Sequence, residues 1–277
     1  MPTILFDTSG LNELAKDCES QALMAGLSSG YHVLLSETNI NEIGATSNAE
    51  KRTLLLQLCQ RLLHTGSAIQ SCQWILNAMA NRHSADPESF DWRKVDVRFR
   101  ALEEEIGRRE FLGNDSVADE LRTDNKATND EFKALFKEAR ATLMPVIKDG
   151  PSVTDVLELL TVDESPLWRL AQDIYRAGAG KAAAEIRGFV AHCPPVNAVL
   201  LSMCVGLYHW GARSDGEQSA YGAGALDLFM AAYLPSCDTF VTNDPGQHAA
   251  LRLVAERAGL STGILTYSEW REKLLLA

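Results

Sequence analysis

Thr3-Ile4-Leu5-Phe6-Asp7-Thr8-Ser9-Gly10 carries the reading of the fold. A short apolar β run ends in an acid, and a turn-forming Asp-Thr-Ser-Gly follows. Leu11, Leu14, Ala15, Cys18 and Ala22 then recur at the spacing of one helix face. The same order returns further along. Residues 31–35, entered from Ser28-Ser29-Gly30, form a second apolar run, and residues 37–45 and 50–63 carry helical patterns. Near the C-terminus, residues 239–242 and 263–265 read as strands, followed by helices over 246–258 and 268–276. Strands alternating with helices predict an α/β fold, a parallel, doubly wound sheet flanked by helices.

The middle of the chain has almost no strand signal. Residues 69–81, 91–109, 115–140, 153–160, 167–178 and 181–191 each read as helix, with breaks at Pro87, Gly113, Pro145, Gly150-Pro151 and Pro194-Pro195. The expected organisation is an α/β core from residues 1–64 and 220–277, with a large all-helical insertion over 65–219 packed on it. Arg93-Lys94, Arg98, Arg100 and Arg108-Arg109 could follow a phosphate backbone, but the interleaved acids favour a solvated, mixed-charge helical hairpin. Residues 211–224 are polar, contain Gly and Ser, and lead into Asp227, so a mobile flap is expected there.

With 277 residues the chain can bury a substantial core, and 46% hydrophobic with 23% charged residues is ordinary for a globular protein. A net charge of -11 argues against bulk electrostatic attachment to nucleic acid. It leaves open a nucleic-acid substrate held through local groups and cations. The N-terminus lacks a basic segment and a long apolar stretch, so no signal peptide is expected. The apolar stretch 196–210 is interrupted by Asn197, Ser202 and His209 and is short for a membrane span, so it reads as a buried helix. Six cysteines scattered singly, with no CxxC pair, suit reduced thiols in a cytoplasmic protein.

Asp7, Glu42, Asp227 and Asp244 carry the chemistry. Asp7 and Asp244 end apolar runs, Glu42 follows the second run on the first turns of a helix, and Asp227 heads a helical segment. In an open parallel sheet ligands bind at the carboxyl ends of the strands, the edge these positions share. Clustered carboxylates repel and resist desolvation, a tension that a divalent cation relieves. Mg²⁺ or Mn²⁺ suits all-oxygen ligation that leaves room for water and a phosphate. Each acid also has a plainer reading. Asp7 and Asp244 make good helix caps, Asp227 gains from a helix dipole, and Glu42 competes with Glu37.

Taken together, Phe6-Asp7-Thr8-Ser9, Leu35-Ser36 leading to Asn41-Glu42-Ile43, Leu226-Asp227 with Ala231-Ala232, and Val241-Thr242-Asn243-Asp244 resemble the PIN domain family of nucleases. The resemblance spans roughly residues 1–64 and 220–277 and does not cover the helical middle. It implies a Mg²⁺- or Mn²⁺-dependent endoribonuclease that hydrolyses RNA phosphodiester bonds. Asp7, Glu42, Asp227 and Asp244 would hold metal, and Thr8, Ser9, Thr242 and Asn243 would support the site by hydrogen bonds. The implied partner is RNA, single-stranded or structured, with a small protein inhibitor and a homo-oligomer as further expectations and no membrane. The alternative is a PIN-like module that binds RNA or protein without cutting.

Other motifs fail on particular residues. A haloacid-dehalogenase phosphatase needs a second Asp where Ser9 stands. Gly178-Ala179-Gly180-Lys181 lacks the upstream Gly and the following Ser/Thr of a phosphate loop, and no Gly-x-Ser-x-Gly elbow occurs. The six histidines show no spacing typical of a zinc enzyme.

Overall fold

The computed structural model describes residues 1–106, 115–143, 152–160, 166–175, 183–209 and 225–276. The expected flap at 211–224 and the pair Arg108-Arg109 lie outside them. Five strands, β1 (Thr3–Phe6), β2 (His32–Ser36), β3 (Ser67–Ile69), β4 (Thr239–Thr242) and β5 (Gly263–Thr266), form one sheet. The order is β3-β2-β1-β4-β5 and every pairing is parallel. In β1 the register sets Leu5 against Leu34 on one side and Phe240 on the other. The molecule is thus α/β, with an all-parallel sheet flanked by helices.

A parallel sheet must be covered on both faces, and alternation within each strand divides its side chains between two apolar clusters. Leu5, Leu34, Ile69, Phe240 and Ile264 pack on one face with α5 (Cys72–Ala85), α11 (Pro194–Leu207) and α13 (Pro245–Arg257). Ile4, Phe6, Val33, Leu35, Ala68 and Val241 pack on the other. There they meet α1 (Thr8–Lys16), α2 (Ser20–Gly30), α3 (Glu37–Gly44), α4 (Ala49–Leu63), α6 (Arg100–Ile106) and α14 (Tyr267–Leu276). Between them in sequence come α7 (Asp115–Leu143), α8 (Val153–Leu160), α9 (Pro166–Tyr175), α10 (Ala183–His192) and the short α12 (Ala225–Phe229). The last continues as a 3₁₀ segment, Met230–Ser236.

Strands feed their helices through side-chain caps. Asp7 caps α1, Ser36 caps α3 and Asp244 caps α13, each accepting a backbone N–H near the helix start. Such caps contribute about 1 kcal/mol each. They also hold three helix N-termini at the carboxyl edge of the sheet. β1 and β4 are neighbours although most of the chain separates them. Connections leave this pair in opposite directions, which makes the gap above them the topological switch point of the sheet.

The middle of the chain departs from its sequence reading in two places. Residues 67–69 are the edge strand β3 rather than a helix start, so the sheet draws a strand from within the stretch 65–219. The turn before it needs glycine, because a Cβ on Gly66 would stand 2.2 Å from the Val33 carbonyl oxygen. Residues 91–109 are not one helix. Trp92–Lys94 forms a 3₁₀ turn, and an extended segment then runs beside β3, with Phe99 N–H donating to the Ala68 carbonyl (2.8 Å) and Gln70 N–H to that of Val97 (2.9 Å). Helix begins only at Arg100. Glu103 explains the arrangement: it accepts from Ala68 N–H (2.9 Å) and from Arg98 Nε and Nη2 (2.8 Å each). Arg98 is therefore committed to an intramolecular pair, and Arg93 stacks on the Trp92 ring.

α11 is apolar on all sides and enclosed by other elements, as the interrupted apolar stretch predicts. No single described helix is long and apolar enough to cross a membrane. α10 and α11 pass on length and composition only as a pair, and they bend by 97° where they meet. The cysteine thiols are free and all but Cys18 are buried.

Candidate functional site

The switch point is occupied by carboxyl groups. Asp7 follows the last residue of β1, and its carboxylate turns back to accept from Gly10 N–H at 2.6 Å. The helix it caps lies close against the sheet, since a Cβ on Gly10 would stand 3.0 Å from the Val241 carbonyl oxygen. Ser9 Oγ lies 2.9 and 2.8 Å from the two Asp7 oxygens and accepts Asn243 N–H at 2.7 Å. Thr242, fully buried at the end of β4, accepts Asp244 N–H at 3.0 Å. Its one hydroxyl proton is shared between Asp7 Oδ2 and Gln247 Oε1, both at 2.8 Å. The strand exits of β1 and β4 are in this way bolted together through hydroxyls.

Asp244 caps α13 by accepting Gln247 N–H at 2.8 Å, and the Gln247 side-chain amide donates to Asp227 Oδ1 on α12 at 3.3 Å. On the other flank Glu42, on α3, accepts the Thr8 hydroxyl proton. Buried Asn39 links α3 to the β1 exit. With its amide turned to satisfy its neighbours, the nitrogen donates to the Phe6 carbonyl (3.2 Å) and the oxygen accepts Thr8 N–H (3.0 Å).

These groups surround one open cavity of about 440 Å³. Its walls include Asp7, Thr8, Ser9, Glu42, Asp227 and Asp244, so all four acids predicted from sequence come to a single place. Thr242 stands behind the wall as a support. Asn243 hydrogen-bonds to the site through its backbone N–H, while its side chain is exposed and outside the lining. Glu37 is elsewhere, accepting Ser71 N–H at 2.8 Å at the start of α5. That decides the competition with Glu42 on position.

The sequence reading missed four polar lining residues, Asn12, Asn125, Asn129 and Gln247. Gln247 had a local signal, because Asp244-x-x-Gln247 is a capping-box spacing. Asn125 and Asn129 stand one helical turn apart on α7, whose amphipathic pattern announces a helix without saying what faces the cavity. Asn12 Nδ2 donates to the Thr8 carbonyl (2.8 Å), while its Oδ1 is buried with no partner among the described residues.

The field inside the cavity is strongly negative, with no Lys, Arg or His among its described lining residues. Burial pushes the Asp7 carboxyl above its usual range against the pull of its Gly10, Ser9 and Thr242 hydrogen bonds, and Asp244 adds repulsion. Burial pushes Glu42 up to about 7 against the pull of the Thr8 hydrogen bond, and the charges of Asp227 and Asp7 add to the rise. A donor set of hard oxygens that disfavours its own ionisation fits a hard divalent cation. Among the described residues, no group of three or more His, Cys, Asp or Glu side chains stands close enough together to hold a metal ion as arranged. The carboxyls ring a space, and two of them also cap helices.

Comparison with protein-family models, with curated proteins and with solved structures returns no match for this chain.

Proposed function

We propose that the protein is a Mg²⁺- or Mn²⁺-dependent endoribonuclease of PIN-like architecture, its core elaborated by a helical insertion between β3 and β4. The observation that carries this reading is the meeting of Asp7, Glu42, Asp227 and Asp244 around one cavity at the carboxyl edge of a parallel sheet. They come from distant parts of the chain, and four carboxyls sharing a negative cavity raise the free energy of the fold unless they serve a cation or a proton.

Asp7, Glu42, Asp227 and Asp244 would hold the ion, which when bound supplies Lewis-acid polarisation of a phosphate and a more acidic water. The chain's own residues do the positioning. Ser9 and Thr242 fix the Asp7 carboxylate from both sides, and Gln247 ties Asp227 to β4. Thr8 orients Glu42 Oε2.

A second reading, an RNA- or protein-binding module that does not cut, is favoured by one observation. Asp7 and Asp244 are already satisfied as helix caps, so the fold gives them a use without catalysis. Incubation with mixed single-stranded RNA separates the two. The nuclease reading expects internal cleavage with Mg²⁺ or Mn²⁺ and none in excess EDTA. Binding without cleavage under both conditions supports the module instead.

A further inference from the structure

We infer that α7 is a strut that sets the separation of Glu42 and Asp227 across the cavity, with Phe132 as the positioning residue for Asp227. The inference rests on the proposed cation site of the four acids, but it draws on apolar contacts outside the cavity.

The four acids are fixed in two different ways. Asp7 and Asp244 follow β1 and β4 and cap the next helices, so the sheet itself holds them. Glu42 and Asp227 lie within α3 and α12, and those helices decide where the two carboxyls stand. α12 has only 5 residues, too few for a stable isolated helix. Residues 230–234 after it are buried in the core. The turn that carries Asp227 takes its support from α7 and α11.

α7 meets both acid-bearing helices, each time two positions beyond the acid. At one end Leu121 packs on α3 so closely that its Cδ1 would stand 2.7 Å from a Cβ on Gly44. Beside it Arg122 Nη1 donates to the Ala45 carbonyl at 3.1 Å, and Asp115 pairs with buried Arg52 of α4 at 2.5 Å. At the other end the Phe132 ring stands edge-on to Phe229 of α12 at 5.0 Å and to Phe136 at 5.8 Å. A Cβ on Gly206 of α11 would stand 2.7 Å from Leu228 Cδ1 and 3.0 Å from Phe136 Cζ. α7, α11 and α12 therefore close on bare backbone, and α12 is gripped from two sides. Leu121 and Phe132 are separated by close to three whole turns, roughly 16 Å of helix. They share one face of α7 with Asn125, which lines the cavity between them.

A rigid helix pressed at both ends fixes the spacing of what it touches. Ligand distances at a metal tolerate only about 0.2 Å of error, so a small shift of α12 is felt at the ion. Phe132 does not line the cavity, so truncating it moves Asp227 without altering any wall residue.

Mn²⁺ titrations followed by electron paramagnetic resonance compare wild type with Phe132→Ala and Phe132→Leu, alone and in Asp227→Asn and Asp244→Asn backgrounds. Phe132→Ala should weaken Mn²⁺ binding about tenfold, the scale on which supporting residues act. Phe132→Leu should retain most of the affinity. In the Asp227→Asn background Phe132→Ala should cost less than about twofold more, because its route to the ion has gone. In the Asp244→Asn background the tenfold loss should persist. A loss of equal size in all three backgrounds overturns the inference, since Phe132 then serves the fold in general. Unchanged or tighter binding by Phe132→Ala overturns it too. Leu121→Ala paired with Glu42→Gln repeats the cycle at the other end of α7 and decides the matter if Phe132→Ala does not fold. A wild type that binds no Mn²⁺ overturns the cation site and the strut together. RNA cleavage by a Phe132→Ala protein that binds Mn²⁺ normally keeps the nuclease reading and refutes the strut. The coupling without any cleavage does the reverse.

Discussion

Asp7→Asn is expected to abolish RNA cleavage, by roughly a thousandfold or more, while leaving the protein folded. Both halves follow from the double duty of this residue. Asparagine caps a helix as well as aspartate does, so Gly10 N–H keeps an acceptor and α1 keeps its start. The amide also fits among Ser9 and Thr242 with little change of volume. What disappears is the negative oxygen at the exit of β1, where it stands with Asp244 close enough for the two charges to repel. Asp7→Ala is the control for the cap. It should lose cleavage equally and in addition about 1 kcal/mol of stability. Initial rates with excess Mn²⁺ and urea denaturation of the same preparations give both numbers. An Asp7→Asn protein that cuts at even a tenth of the wild-type rate would remove Asp7 from the catalytic set.

The second large effect is on stability against pH in the absence of divalent ions. The Glu42 carboxyl titrates at about 7 in the folded chain against an ordinary value of 4.5. Folding therefore favours its protonated form. The associated stability is fully present below about pH 4.5 and is lost as pH rises through about 7, because the unfolded chain ionises first. Asp7, also raised, acts in the same direction. In EDTA the wild type should lose stability between about pH 5 and 8, and Glu42→Gln should lose less. At about pH 8 the variant should be the more stable, by on the order of 2–3 kcal/mol. Mg²⁺ should narrow the gap by stabilising only the wild type. Denaturation midpoints at the two pH values check this. A variant less stable than wild type at the higher pH in EDTA would mean that Glu42 is not held against its own charge.

Several of these residues were legible in the sequence for a physical reason. Strands β1, β2 and β4 are apolar because they are covered on both faces, and a helix starts shortly after each of them. Asp7 and Asp244 are visible because cap and strand exit coincide there. Strand β3 was not visible: Ser67-Ala68-Ile69 is too short for a period, and what holds it is Glu103 and the backbone of residues 97–99, well downstream. Glu37 and Glu42 could not be separated by type, but five positions place them about 140° apart around a helix, so only one can face the cavity. Asn125 and Asn129 lie on a face of α7 whose neighbours, α3 and α12, are set by tertiary packing. Gln247 stands in a capping-box position, yet its side chain crosses to Asp227, a contact that no local pattern contains.

Everything proposed for the cavity depends on the four carboxyls forming one cation site. Titration of Mn²⁺ followed by electron paramagnetic resonance, on wild type and on Asp7→Asn, Glu42→Gln, Asp227→Asn and Asp244→Asn, addresses that dependence without relying on cleavage. Saturable binding to the wild type, weakened by each of the four substitutions, is the expected outcome. Absence of saturable Mn²⁺ binding to the wild type, or binding that all four variants retain unchanged, would contradict it.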